Sequence, residues 1–234
     1  MNAGDPAPDG SHGPHVLVAD VELPELDDDA RHHLERVVRV RRGDPLTVGD
    51  GAGAWRECRL ADQPEPVGGI RRVARPTIKL TVGFALIKGG RPELVVQKLT
   101  ELGIDTIVPF TAERSVVRWD ESRAAKNQER LRRVAREAVM QSRRPWVPVV
   151  GPVSDFASVA AMPGAGLADR AGEPPRLERP TLLIGPEGGW SEAERSAGMP
   201  LVGLGPAVLR AETAAFAAGA VLAALRAGLV AEAR

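Results

Sequence analysis

The chain is poor in the residues that staple or metallate a fold. Cys58 is the single cysteine among 234 residues, and histidine occurs four times. One cysteine excludes an intrachain disulfide and a Cys-rich zinc site, and no histidine pair takes the HExxH spacing of a helical metal site. No stretch approaches the ~18 consecutive apolar residues of a membrane span, and the first residues lack the basic-then-apolar layout of a secretory signal. A cytoplasmic location without membrane partners is expected. GxxxxGK[ST] and GxSxG are both absent, which excludes a P-loop nucleotidase and a nucleophile-elbow hydrolase. Net charge is lacking as well, since 31 Lys and Arg balance 31 Asp and Glu. What remains is an ordinary globular composition, 43% hydrophobic and 26% charged, long enough for one large domain or two smaller ones.

The zero total conceals a pattern. Residues 1–30 carry eight acids and no Lys or Arg; residues 31–91 have a net charge of +7, and residues 114–144 of +6. Two separated basic segments in a neutral chain suit a polyanion-binding surface, because phosphate contact needs clustered charge rather than average charge. A solvated helix face explains the same pattern. Arg outnumbers Lys 27 to 4, which fits bidentate phosphate contacts and fits compositional bias equally well.

Local patterning divides the chain. Residues 1–14, rich in Pro, Gly and Asp, predict a disordered tail. Residues 15–75 read as a small β-rich, barrel-like unit: a strand over His15–Leu23, a helix over Ala30–Val40 capped from Asp27–Asp29, and two strands joined at Asp50-Gly51. After Pro76 strands alternate with helices. Strands are expected at 78–86, 104–110, 146–150, 181–185 and 200–205. Helices are expected at 91–103, 121–142, 154–161, 191–197 and 211–228, with a Gly/Pro loop over 163–179. That alternation predicts a parallel sheet covered on both faces, and hence an α/β fold. No internal repeat is present.

Gly49-Asp50-Gly51-Ala52-Gly53-Ala54 matches the dinucleotide fingerprint G-x-G-x-x-A. The fingerprint requires a helix next, whereas Trp55–Leu60 alternates like a strand, so a hairpin turn is expected. Two later loops carry more weight: Gly185-Pro186-Glu187-Gly188-Gly189-Trp190-Ser191 and Leu204-Gly205-Pro206-Ala207-Val208-Leu209-Arg210. Each follows a buried strand and precedes a helix. In a parallel sheet such loops emerge at the strands' C-terminal ends, where ligands bind. Their glycines let main chain approach a ligand without a Cβ in the way. Glu187 and Glu212 supply carboxylates, and Arg210 a fixed cation.

GPEGGWSEAE followed by LGPAVLRAETAAFAA resembles the signature of the SPOUT methyltransferases, and within them the 16S rRNA (uracil-N3)-methyltransferase family. KGGRPELVVQKLTELGIDTIVPF (88–110), ERSVVR (113–118) and REAVMQSRRPWVP (136–148) agree with it, the last carrying Glu-x-x-x-Gln-x-x-Arg at Glu137, Gln141 and Arg144 or Arg143. The chain departs from the family at Ala207 and Val208, where Arg and Ile are usual, and at Trp190, where Phe is usual. The resemblance implies a PUA-like RNA-binding β-barrel over 15–75 and an α/β domain with a deep C-terminal trefoil knot over 78–234, acting as a homodimer on 16S rRNA in the assembled 30S subunit.

The same resemblance implies S-adenosylmethionine, bent against Gly185–Gly189 and Leu204–Arg210. Leu183, Ile184, Gly185, Glu187, Gly188, Gly189, Leu204, Gly205, Val208, Leu209, Arg210 and Thr213 would hold it; no metal is implied. Arg210, Glu137 and Gln141 are the expected catalytic residues. Arg36, Arg39, Arg41, Lys88, Arg91, Arg114, Arg143 and Arg144 would bind RNA. Methyl transfer from a sulfonium is an in-line displacement, so catalysis is mainly positioning. Uridine N3 lies on the pairing edge and must lose a proton, so the base must be unpaired or flipped. A cation such as Arg210 would favour the resulting anion, and Glu137 and Glu187 both remain conceivable proton acceptors. A non-catalytic ribosome-assembly factor and a 2′-O-ribose methyltransferase are the alternatives on this scaffold.

Overall fold

A computed structural model describes residues 4–32, 34, 39–88 and 91–232. The chain forms two compact units, one comprising residues 1–76 and 136–147, the other residues 77–135 and 148–234.

Among the described residues the first unit contains a five-stranded sheet. β1 (His15–Leu17) pairs parallel with β2 (Pro45–Gly49), and β2 antiparallel with β3 (Ala54–Leu60). β4 (Pro64–Pro66) and β5 (Arg71–Arg72) pair with opposite ends of β3. Alternate residues of β1–β3 (Val16, Leu46, Val48, Ala54, Cys58 and Leu60) bury their side chains in one core. The Gly49–Ala54 segment is a hairpin turn, as its alternating flank requires. Asp50 accepts hydrogen bonds from the Ala52 and Ala54 N–H groups at 2.6 and 3.0 Å, and Gly51 and Gly53 take positive φ.

Three expectations change in this unit. Residues 4–14 are laid along the sheet rather than loose: Asp5 exchanges main-chain and carboxylate bonds with Arg72, and the Trp55 indole donates to the Pro6 carbonyl at 3.0 Å. The first strand is shorter than 15–23 because Asp20 accepts from the Glu22 N–H at 2.7 Å, a local turn that ends the extended run. Residues 136–147 join this unit, since Trp146 bridges to Ala52, lies against Gly53 and stacks under Arg75. Helix α1 (Asp28–His32) is capped by Asp27, which accepts from the Ala30 N–H at 2.7 Å. The remainder of the helix expected to Val40 lies largely outside the described residues.

The second unit contains a sheet of parallel strands in the order β12-β10-β11-β6-β7-β8, with β9 also on β7. These are β6 (Thr81–Ala85), β7 (Thr106–Thr111), β8 (Val149–Val150), β9 (Ser154–Asp155), β10 (Ala165–Glu173), β11 (Thr181–Ile184) and β12 (Leu201–Val202). Side chains alternate between two cores. Val82, Phe84, Ile107, Leu182 and Ile184 pack beneath α2 (Arg91–Leu102), the first part of α3 (Glu121–Ser142) and α6 (Ala211–Arg226). Val108, Phe110, Leu167 and Leu183 face α4 (Phe156–Ala160) and Trp190. Gly219 of α6 lets α2 come close: a Cβ there would stand 2.6 Å from Leu99.

Residues 163–179 are not a loop, for β10 occupies 165–173. AGLADRAGE has little intrinsic strand preference, but it is paired on both edges, with β11 and β12. Its glycines admit that pairing, because a Cβ on Gly166 or Gly172 would collide with Val202. Context overrides propensity here.

Candidate functional site

β11 and β12 both run parallel to β10, so the loops that follow them leave the same edge of the sheet. In the first loop, Gly189 donates to the Pro186 carbonyl at 2.8 Å with φ of 72°, closing a tight turn. Trp190 then returns to the core. It stacks on Phe110, packs on Phe156, and donates to the Ala168 carbonyl at 3.0 Å. Gly185 lies so close beneath the indole that a Cβ would stand 2.9 Å from it. Trp190 thus anchors the loop to the core.

Ser191 caps the short helix α5 (Glu192–Arg195) in a reciprocal box with Glu194. The other oxygen of Glu194, a residue 4% exposed, accepts from the Glu113 N–H at 2.8 Å. Arg114, next in the chain, lies across the glycine loop, its guanidinium 3.4 Å from the Gly188 carbonyl. Glu194 was not among the expected site residues.

The second loop opens with Gly203 donating to the Glu173 carbonyl at 2.7 Å, and Gly205 turns it at φ of 116°. Arg210 is the N-cap of α6, with an exposed side chain that makes no capping bond. Leu204 and Leu209 are half-buried; Gly205, Val208 and Thr213 are exposed. Leu183 and Ile184 bury their side chains on opposite sheet faces, so their main chain is what they can offer a ligand. Arg91, the first residue of α2, faces both loops, 3.8 Å from the Glu187 carboxylate and 3.7 Å from that of Glu212. The second oxygen of Glu212 is buried and has no hydrogen-bond partner.

The other expected residues fall in both units. Glu137 and Gln141 are exposed on the part of α3 that belongs to the first unit, whereas Arg210 belongs to the second. Lys88 and Arg114 are exposed, and Arg91 is committed in part to the two carboxylates. Arg39 and Arg41 are exposed in the first unit. Arg143 takes a φ of 52° and directs its guanidinium at the Gly13 carbonyl, 3.3 Å away, while Arg144 is half-buried. Arg36 lies outside the described residues. Among the described residues no group of three His, Cys, Asp or Glu side chains is placed to hold a metal, and no helix is long and apolar enough to cross a membrane.

Residues 74–223 match the model of an RNA methyltransferase domain, and residues 26–65 that of an RNA methyltransferase PUA domain. The ribosomal RNA small subunit methyltransferase E of Mycobacterium bovis is 36% identical over 223 residues, covering 84% of each chain. The chain belongs to this methyltransferase family. The enzyme of the same name from Bacillus subtilis is 31% identical, over 78% of this chain and 82% of its own. The crystal structure of the family member from Neisseria gonorrhoeae, bound to S-adenosyl methionine, superimposes with a TM-score of 0.75 at 28% identity, over 92% of this chain and 98% of that one. The two glycine loops therefore lie within the matched methyltransferase domain, and β2, β3 and α1 within the matched PUA domain.

Proposed function

We propose that the protein transfers the methyl group of S-adenosylmethionine to N3 of an unpaired uridine in the decoding region of 16S rRNA. The observation that carries this reading is the pair of glycine loops on one sheet edge, both faced by Arg91. The loops suit the cofactor. A Cβ built on Gly189 or on Gly205 would have no atom within 4 Å, so main chain is open to a ligand at both turns. Leu204 and Leu209 offer apolar contact, and the spare oxygen of Glu212 is an acceptor the protein itself leaves unfilled. When bound there, the cofactor supplies an electrophilic methyl group.

The remaining work falls to the chain's own side chains. Arg210 stands at the start of a 16-residue helix, where its charge adds to the positive end of the macrodipole. A uridine losing its N3 proton spreads negative charge onto the flanking carbonyl oxygens, and that charge is stabilised by a cation held beside it. Glu187, exposed on the first glycine loop and in the same unit as Arg210, is the candidate for the proton. In this reading residues 15–75 are the PUA-like barrel, the C-terminal domain is knotted, and the enzyme is a homodimer acting on the assembled 30S particle in the cytoplasm.

The test is primer extension on 16S rRNA from 30S subunits of a strain lacking this gene, treated with the purified protein and S-adenosylmethionine. A methyl on N3 blocks pairing and stops reverse transcriptase at one uridine. A product that passes reverse transcriptase and instead protects one phosphodiester from alkali would replace base methylation with ribose methylation.

A further inference from the structure

A cleft of about 360 Å³ lies wholly within the second unit. It is lined by Ile87 and Lys88 after β6, Pro92 and Glu93 of α2, residues 116–119 after β7, and Arg123, Asn127 and Arg130 of α3. None of the residues assigned to the cofactor contributes to it. Its position is nonetheless close to them: β6 is the hydrogen-bonded neighbour of β11, and Arg91, adjacent to Pro92, reaches both glycine loops.

The charges of the lining decide what it can take. Arg130 is committed to Glu93, 3.0 Å away. Lys88, Arg118 and Arg123 have no carboxylate partner among the described residues, and all three are exposed. They come from three different segments, so their convergence is a product of the fold rather than of one charged helix face. The half-buried Trp119, packed against the hydrophobic core, lines the same cleft. Asn127, four residues after Arg123, shares its helix face and offers an amide with both donors and an acceptor. Unpaired cations around an aromatic ring, with an amide alongside, are the elements that hold a single-stranded nucleotide: phosphate on the cations, base on the ring, base edge on the amide. The volume lies at the lower end of the small-ligand range, about 300–1,000 Å³, which suits one nucleotide.

We propose that this cleft binds one unpaired nucleotide of the substrate RNA, with its phosphate on Lys88, Arg118 and Arg123 and its base against Trp119 and Asn127. The proposal rests on the RNA-methyltransferase reading above and adds to it a place where the strand is gripped outside the cofactor loops. Held there, the strand is fixed beside the sheet edge from which Arg210 and Glu187 project.

The test uses the full-length protein, a fluorescein-labelled single-stranded oligouridylate as probe, and fluorescence anisotropy across a salt series. Arg118→Ala/Arg123→Ala is expected to weaken binding about tenfold and to flatten the salt slope by about 1.4, from ~0.7 per single-strand phosphate contact. Trp119→Leu is expected to weaken it about fivefold or more, with thermal melting to confirm folding. Lys98→Ala/Arg179→Ala removes equal charge from the second unit outside the cleft and outside both basic segments, and is expected to change affinity less than twofold. S-adenosylmethionine binding, read by calorimetry, should be the same in every variant. If the control pair weakens RNA binding as much as the cleft pair, or the cleft pair binds as the unaltered protein does, the cleft is not a nucleotide site. Failure of the unaltered protein to methylate 30S subunits, with the cleft effect intact, would instead overturn the enzymatic reading and leave the cleft standing.

Discussion

The buried carboxylate of Glu194 accepts the Glu113 main-chain N–H at 2.8 Å through one oxygen and the Ser191 N–H at 2.9 Å through the other. One side chain thereby ties the segment after β7 to the glycine loop after β11, in addition to closing the capping box of α5. Glu194→Ala would leave the buried Ser191 N–H without a partner, at about 1–3 kcal/mol, and the part-buried Glu113 N–H as well, at a smaller cost. Glu194→Gln retains one acceptor oxygen and should lose roughly half as much. Urea unfolding gives the stabilities. If the tie also shapes the loop, calorimetry should show S-adenosylmethionine affinity falling in the same order, whereas a purely structural role would move the urea midpoint and leave affinity unchanged.

Arg210 presents the complementary case, a side chain that stabilises nothing visible in the fold. It is exposed and makes no capping bond. Arg210→Ala should therefore leave the melting temperature within a degree or so of the parent and lower single-turnover methylation by about 10²-fold, the scale of losing one charge-stabilising donor at a reacting oxyanion. Arg210→Lys should recover part of that loss, since the charge returns without the planar fork. A rate unchanged in both variants would remove Arg210 from the chemistry.

What the sequence reveals, and what it hides, follows from where the information resides. The unbroken apolar run Leu182, Leu183 and Ile184 and the glycines after it marked a buried strand ending in a ligand-facing loop, because both signals are local. β10 was illegible because AGLADRAGE becomes a strand only when β11 and β12 pair with it on both edges. The packing of Trp190 was illegible, because its ring partners Phe110 and Phe156 are 80 and 34 positions away in the chain. Half of the role of Glu194 was readable, since Ser191-x-x-Glu194 is a capping-box spacing. Its bond to Glu113 spans 81 residues and has no local signature. The cleft was legible only in part: Lys88 and the basic segment 114–144, which holds Arg118 and Arg123, stand out in the sequence, but Lys88 meets the other two only in the fold.

His15 makes the first unit sensitive to acid. The imidazole is 3% exposed, bonded through Nδ1 to the Thr47 hydroxyl at 2.9 Å, while Nε2 is buried without a partner. Burial, and secondarily the Arg143 guanidinium, lower its pKa from 6.5 to about 4. Because the folded value lies below the unfolded one, the unfolded chain binds the extra proton, and stability is complete above pH 6.5 and declines as pH falls toward 4. Linkage puts the loss at about 1.4 kcal/mol by pH 5.5. Urea midpoints at pH 7.5 and 5.5 should show this difference, and His15→Leu should abolish it. A variant with the parent's pH dependence would place the sensitivity elsewhere.

The end of α6 is fastened by a buried ion pair. Arg226 donates to the Asp105 carboxylate, to the Gly103 carbonyl at 2.6 Å and to the Ile78 carbonyl at 3.2 Å, while the Leu80 N–H donates to the same carboxylate at 2.9 Å. Asp105 is 7% exposed, so removing its cation strands a charge where water cannot reach it. Arg226→Ala should cost about 3–5 kcal/mol, the range for breaking one half of a buried pair. Arg226→Met/Asp105→Leu removes both charges while keeping apolar bulk, and should cost much less, because no uncompensated charge remains. Urea unfolding of the parent, the single and the double variant closes the cycle. A double variant as unstable as the single one would mean that the hydrogen bonds to Gly103, Ile78 and Leu80, rather than the charge pairing, hold the helix end against the sheet.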